Sequence, residues 1–587
     1  MKEVFILYLK KMYNKKTGRT YLSIVQKYRD PITKISTDKT ISSLGYLDEL
    51  EKKFDDPIAH FKKVARKMTQ EENARKELTL NINMDEKLKQ NTDNSKNFGY
   101  AAILKVYHEL ELNRFLNNKA RHKDFEFNTN SIMILLVISR LLSPGSKKKA
   151  FDEKDRYFER FDFSLDDIYR ALPHYADISK ELQQYLHKQI AAKYGYNKKT
   201  IYYDVTNYYF EIDSPDGIKN WGKPKQNRKK PVVQMGLAID ADGIPIHYEL
   251  FPGNKLDKQT FRPIIGDIRR NYDTGRIIVV ADMGITTGDN IYYLTGGKKE
   301  KPLNGYIFSF SVRGGTNVFQ EYVLDERGYR NQKGKPVQGE TDFKIKSRVT
   351  AREIKVTMSS GKKKTKTVYE KQVVFWSKKY FDKARAERDE VVKKAMDLIK
   401  NPMKYTRATS YGAAAYVTNI EFDKKTGKVL ESKKIPAFKS DKLAEDEKYD
   451  GYYSIVTSEL DMSDDEIINT YRGLWEIEET FKITKSDLKT RPVYVRIDEH
   501  IDAHFLTCFI ALVIIRIIQK KTNREYSTTA LIECLREISC SLEDVNLYIF
   551  KYRSEISDAI GEAFGIDFTR KRLQLGEIKK ILGETKK

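Results

Sequence analysis

Apolar residues in this chain change their spacing several times, and each change marks an element boundary. Residues 100–196 carry the three- and four-residue spacing of helices packed on a core. The most apolar of them, residues 128–142, stops at Ser143-Pro144-Gly145-Ser146, where proline and glycine end a helix. Ser164-Leu165-Asp166-Asp167 opens the next one. At Thr200 the period shortens to two. Residues 201–211, 231–241 and 244–250 read as strands, and Asp240-Ala241-Asp242-Gly243 makes a tight turn between the last two. Residues 261–272 read as a helix, 276–284 as a near-continuous apolar strand buried on both faces, 289–294 as a helix start and 305–310 as a strand. The predicted order is β-β-β-α-β-α-β, a meander followed by alternating elements, as in a mixed α/β sheet.

Flanking segments follow other rules. Runs at 4–9 and 21–28 around a turn-like break at 14–18 predict a small N-terminal sheet, read equally as a folding cap or a DNA-contacting piece. Residues 50–78 are charged and helical, and 85–97 form a polar linker. Residues 311–450 are basic, threonine-rich and broken by glycine, with a hairpin-like run at 369–376 and a charged helix at 380–400; they predict a mainly β insertion. A strand at 451–457 leads into a single helix through Lys485, opened by the capping box of Ser463 and Glu466. An apolar helix follows at 500–519, and the rest is helical with a basic end. The expected domains are 1–97, a helical 98–199 with a DNA-binding role, 200–310 and 451–520 as two parts of one core, 311–450 as the insertion and 521–587 as a helical C-terminus.

Charge changes the picture. The net charge of +24, from 107 basic against 83 acidic residues, favours a polyanionic partner, nucleic acid first. Lys147, Lys148 and Lys149 beside the helix stop suit a phosphate-contacting loop, and the short helices around them fit a helix-turn-helix-like module or an ordinary helical domain. Trp221 is followed by Lys223, Lys225, Arg228, Lys229 and Lys230, a second basic stretch. Cys508, Cys534 and Cys540 give neither a disulfide framework nor a zinc spacing. His500 and His504 lack the intervening glutamate and third ligand of a zinc pair. The start is too soon charged for a secretory signal, and the apolar run at 505–518 is short of a membrane span and interrupted by Arg516. A cytoplasmic protein without a membrane partner is expected.

The candidate chemistry is carboxylate chemistry. Asp204 sits in an otherwise apolar or aromatic strand, and Asp282 ends a hydrophobic one. Each alone also reads as a turn or cap residue, but ligands meet open α/β sheets at the carboxyl ends of strands. Glu478 falls on the face of its helix that carries Ile467, Tyr471, Leu474, Phe481, Lys482 and Lys485. A carboxylate there needs compensation, either from Lys482 at i,i+4 or from a cation shared with other carboxylates. Three such groups could hold Mg²⁺, and a two-ion site performs in-line displacement.

These residues resemble a bacterial insertion-sequence transposase of the DDE type, in the insertion-sequence-four superfamily. Tyr471, Glu478 and Lys485 match its tyrosine, glutamate and lysine spacing, and Trp475 its frequent tryptophan. Residues 203–211 and 280–284 resemble its two aspartate strands, and 236–240 with 251–254 the hairpin between them. The match covers roughly residues 130–515. Leu474 stands where the family has arginine, and Arg472 lies about 160° around the helix, so it does not simply substitute.

The resemblance implies an RNase H-like core that cleaves transposon ends and joins them to target DNA. Asp204, Asp282 and Glu478 would hold two Mg²⁺ ions, with Mn²⁺ as a substitute. Tyr471, Lys485, Lys482 and Arg472 would meet DNA, with Trp475 and Trp376 as base-stacking candidates. Double-stranded DNA and a homodimeric paired-end complex, associated with the nucleoid, are the implied partners and setting. The alternative is a DNA-binding regulator derived from a transposase that has lost activity.

Overall fold

The computed structural model describes residues 7–29, 36–74, 85, 87, 93–195, 199–222, 230–297, 302–337, 340–407, 409–423, 426–430, 435–544 and 546–586. The chain divides into two units, Met1–Asp93 and Asn94–Lys587. In the first, strands β1 (Leu7–Asn14), β2 (Arg19–Arg29) and β3 (Ser36–Tyr46) form an antiparallel meander. Helix α1 (Pro57–Ala74) closes one face of it, burying Ala65 against Leu7 and Ile24. The expected sheet is present, and residues 4–6 of its predicted first run lie outside the described residues.

The second unit opens with helices α2 (Tyr100–Glu109), α3 (Thr129–Leu142), α4 (Lys147–Asp152) and α5 (Leu165–Lys193). Twelve of the positions of α3 are buried, which makes it core and not a groove-reading helix. Strands β4 (Thr200–Tyr209), β5 (Val232–Asp240) and β6 (Pro245–Pro252) follow. Then come α6 (Asp257–Asn271), β7 (Ile278–Ala281), α7 (Gly288–Thr295) and β8 (Gly305–Phe310), the order the periodicity predicts.

The insertion has the expected hairpin run and charged helix but is less purely β than expected. It contains helix α8 (Asn317–Leu324), the long hairpin of β9 (Phe343–Thr357) and β10 (Lys363–Ser377), and the 23-residue helix α9 (Lys378–Lys400). Strand β11 (Tyr452–Thr457) pairs with β8 on one side and β10 on the other. The hairpin therefore extends the core sheet, whose order is β9-β10-β11-β8-β7-β4-β5-β6. An unpaired edge on β11 would leave a row of backbone groups open, and β10 covers it.

Side chains alternate across this sheet. Tyr202, Val280, Ile307 and Ile455 face the larger core, while Ile201, Tyr203, Val279, Phe308 and Val456 face α6 and α7. Over the first face lie helices α10 (Asp464–Arg472), α11 (Trp475–Ser486) and α12 (Asp498–Lys521). By length and composition α12 could cross a membrane, yet it is buried almost entirely in this core. The C-terminus is not purely helical. Ser539–Asp544, Leu547–Phe550 and Arg572–Gln574 join Ser95–Asn97, the end of the supposed linker, in a four-stranded sheet.

The β5–β6 turn carries a titratable strain. Asp240 Oδ1 accepts the N–H groups of Asp242 at 3.0 Å and Ile244 at 2.8 Å, while its buried Oδ2 has no hydrogen-bond partner among the described residues. Burial pushes the Asp240 carboxyl up to about 7. The unfolded chain loses this proton near the ordinary value of about 3.9, so this group's contribution to stability falls as pH rises from about 4 to about 7 and is flat above. Asp240→Asn is expected to remove that slope and to gain more over the parent at pH 8 than at pH 5, read from urea-unfolding midpoints. Equal gains at both values would contradict it.

Candidate active site

Strand register sets the first part of the site. β4 and β7 are parallel, with Thr200 opposite Ile278 and Tyr202 opposite Val280. Two residues further on, Asp204 is level with Asp282, whose backbone is still extended. β7 and β8 are also parallel, and Ala281 opposite Phe308 brings Asp282 level with Ser309. Neighbouring strands lie about 4.8 Å apart. Alternation turns Asp204 and Asp282 to the same face as Tyr202 and Val280, at the carboxyl ends of adjacent parallel strands.

The helix over that face is broken where a continuous one was expected. The capping box of Ser463 and Glu466 is present, but α10 and α11 meet at Gly473-Leu474. The Tyr202 hydroxyl donates to the Thr470 carbonyl at 2.9 Å, taking that acceptor toward the sheet. The next turn tightens to i→i−3 bonds, with Leu474 N–H on Tyr471, Glu476 N–H on Gly473 and Ile477 N–H on Leu474. A Cβ at position 473 would stand 2.1 Å from the Tyr202 hydroxyl oxygen, so glycine is required there.

The break changes which glutamate is buried. Glu476, not Glu478, faces inward, and it pairs with Arg524 and lies 3.8 Å from Arg516. Arg516, on α12, also donates to Glu479 at 2.9 Å and to Thr480 Oγ1 at 2.7 Å. Arg524 reaches the Asp242 carbonyl at 3.2 Å, and Lys520 pairs with Asp242 at 2.8 Å. The back of α11 is thereby fixed to α12 and to the β5–β6 turn. The arginine that interrupts an apolar helix was the sequence signal for this network.

The front of the helix pair meets the aspartate strands. Tyr471 donates to Asp282 Oδ1 at 3.4 Å, and its hydroxyl lies 2.8 Å from that of Tyr453. Burial raises the Tyr471 hydroxyl well above its ordinary value, which keeps it a donor. Lys485 donates to Thr206 Oγ1, two residues beyond Asp204 on β4, while Tyr208 and Thr484 hydroxyls bond at 2.7 Å. Glu478 lies midway between Tyr471 and Lys485 and is exposed; among the described residues it takes no hydrogen bond or ion pair, with Lys482 included. The three carboxylates do not form one cluster: among the described residues no group of three acidic, histidine or cysteine side chains stands close enough to hold a metal.

A family model described as a transposase DDE domain matches residues 204–514, more than half of the chain. It starts at Asp204 itself and ends inside α12. A second, for the IS1634 family transposase N-terminal domain, matches residues 9–78. The chain belongs to the insertion-sequence DDE transposases. No curated protein matches it. The mixed sheet is accordingly the RNase H-like core that a DDE domain implies.

The remaining residues singled out in this transposase fall into three groups. Trp475, 53 % exposed, shares the open stripe of α11 with Glu478 and Lys482, and Arg472 is exposed beside it. Lys148 and Lys149 are exposed, with Lys148 paired to Asp152 at 2.9 Å, and Lys230 is tied to Asp213 at 2.9 Å. Lys223, Lys225, Arg228 and Lys229 lie outside the described residues, next to Trp221, which is 45 % exposed.

One expectation is overturned by burial. Lys147 is only 3 % exposed, because Ser146 caps α4 and the first turn of that helix points inward. Its ammonium lies 3.4 Å from His504 Nδ1, and burial pushes it down to about 7. It cannot reach a phosphate, and the lysines sit on a helix and not in a loop. Trp376 is half-buried; it donates its indole N–H to the Asp450 carbonyl at 3.0 Å and packs on Phe381. His504 is buried, with Nε2 3.1 Å from the Thr490 carbonyl oxygen. The family arginine position, Leu474, is buried.

Arg516→Met is expected to destabilise the transposase by about 3–5 kcal/mol, since it strands two carboxylates against one remaining guanidinium. Urea unfolding would measure it; a loss below about 1 kcal/mol would show that the network contributes no more than a surface pair.

Proposed function

We propose that this transposase cuts the ends of its insertion sequence and joins the freed 3′-hydroxyls to target DNA. Asp204, Asp282 and Glu478 are the catalytic, metal-holding carboxylates on this reading. One observation carries it: two aspartates level on adjacent parallel strands, under a helix pair whose Tyr471 and Lys485 reach those same strands. The donor set suits Mg²⁺, which is commonly held by one or two carboxylates and keeps waters that substrate phosphates can replace. Two such ions, or Mn²⁺ in their place, supply an activated oxygen nucleophile and a counter-charge at the leaving oxygen.

The chain's own residues do the positioning. Lys485 is drawn toward the scissile phosphate from Thr206, close to Asp204. Trp475 and Lys482, with Arg472 nearby, offer a stacking surface and cations to the DNA beside the cut. Lys148, Lys149, Lys230 and the basic residues 223–229 extend the contact along the backbone. A homodimer holding two ends together, at the nucleoid, is the working assembly. A second reading, a regulator that binds the ends without cutting, is favoured by the buried Leu474 and by Glu478 standing outside a cluster.

Cleavage of a duplex carrying the element's own terminus separates the two. The parent is expected to cut in Mg²⁺, and Asp204→Asn, Asp282→Asn and Glu478→Gln each to reduce cutting to background while still binding. Parent-level cutting by any of the three would overturn the assignment, and binding without cutting by the parent in Mg²⁺ or Mn²⁺ would favour the regulator. Separately, Lys482→Ala is expected to lower the slope of log affinity against log salt by about 1 without changing sequence preference; an unchanged slope would remove Lys482 from the interface.

A further inference from the structure

One oxygen of Asp282 is crowded and the other is not. Oδ1 accepts Ser309 Oγ at 2.7 Å, the Met283 N–H at 2.7 Å and the Tyr471 hydroxyl at 3.4 Å. A carboxylate oxygen offers about two lone-pair sites, so three donors saturate it. Ser309 is 1 % exposed on β8, and its own carbonyl is held by Thr286 Oγ1 at 3.0 Å, so its hydroxyl has little freedom. Tyr471 spends its proton on a group that only accepts, which makes Tyr453 the donor in the 2.8 Å bond between the two hydroxyls. Tyr453 is in turn packed by Phe375, ring centroids 5.5 Å apart, and stacked with Tyr380 at 5.9 Å.

We propose that Ser309 and Tyr471 are positioning residues for Asp282, holding Oδ1 so that Oδ2 alone is presented to a divalent cation. This rests on the reading above that Asp282 holds such an ion. It gives Ser309 a role that no motif suggested, and it turns Tyr471 from a phosphate contact into an orienter of the carboxylate. Partners behind a ligating side chain fix its direction, and losing one typically costs about 10–100-fold in metal affinity or activity.

The test is Mn²⁺ binding to the full-length protein without DNA, followed by the electron paramagnetic resonance of free Mn²⁺, with thermal unfolding midpoints as a check on folding. Ser309→Ala and Tyr471→Phe are each expected to weaken Mn²⁺ binding about 10-fold or more at an unchanged midpoint, and Ser309→Thr, which keeps the hydroxyl, to restore it. Parent-like Mn²⁺ affinity in both Ser309→Ala and Tyr471→Phe would overturn the proposal. So would a Tyr471→Phe protein that loses DNA affinity alone beside an unaffected Ser309→Ala. Should Ser309→Ala fail to fold, Tyr471→Phe at the other donor decides the matter by itself. Asp282→Ala separates the two levels: if it binds Mn²⁺ as the parent does, the ion is not on Asp282, and the functional reading fails with the proposal. If it loses the ion while the positioning variants keep it, only the proposal fails.

Discussion

A guanidinium buried behind the signature helix decides which way that helix faces. α11 carries acidic side chains on both sides, Glu476 and Glu479 behind and Glu478 in front. Burying Glu476, with Glu479 half-buried beside it, would be costly without a cation. Arg516, placed inside an otherwise apolar α12, removes that cost and leaves Glu478 on the open side with Trp475 and Lys482. The tightened turn at Gly473 lets α11 take this orientation while α10 keeps Tyr471 on Asp282. Orientation of the exposed stripe is thus set from behind, chiefly by the buried Arg516 and Glu476.

The sheet supplies the matching constraint from below. Asp204, Asp282 and Ser309 form a row because three adjacent strands are parallel and in register, and β11 continues the sheet with Tyr453. The insertion reaches the same row through hydrogen-bonded strands, since β10 pairs with β11 over Lys371 to Trp376. Phe375 and Tyr380, both from the insertion, pack on Tyr453. A disturbance in the hairpin therefore has a short physical route to the Asp282 carboxylate, through one ring and two hydroxyls.

Much of this was legible in the residues. The period-two runs after Thr200 returned the strand order of the core, and the apolar strand ending at Asp282 was buried as its composition required. Asp204 and Asp282 stood out as polar residues in or at the end of apolar strands, whereas Tyr471 and Lys485 were singled out by their match to the family spacing. Three things were hidden. The break at Gly473 depends on a tyrosine 271 positions upstream in the sequence, whose hydroxyl no local pattern reveals. The C-terminal sheet uses strands of three to six residues, one drawn from the far end of the unit, too short and too distant to give a period. Lys147 looked like its neighbours in composition, and only the helical phase set by Ser146 separates the buried lysine from the exposed pair. Ser309 was visible as a hydroxyl inside Gly305–Phe310, but its partner was not.

Sharing of a divalent cation by Asp204 and Asp282, with Glu478 as the third carboxylate, is the step on which the proposed function turns. It is tested most directly by locating Mn²⁺ through its anomalous scattering in crystals of the transposase bound to its own end DNA. Density is expected between the two aspartates, with Asp282 ligating through Oδ2 and Glu478 brought within coordination distance. Mn²⁺ found elsewhere, or bound without either aspartate, would contradict it.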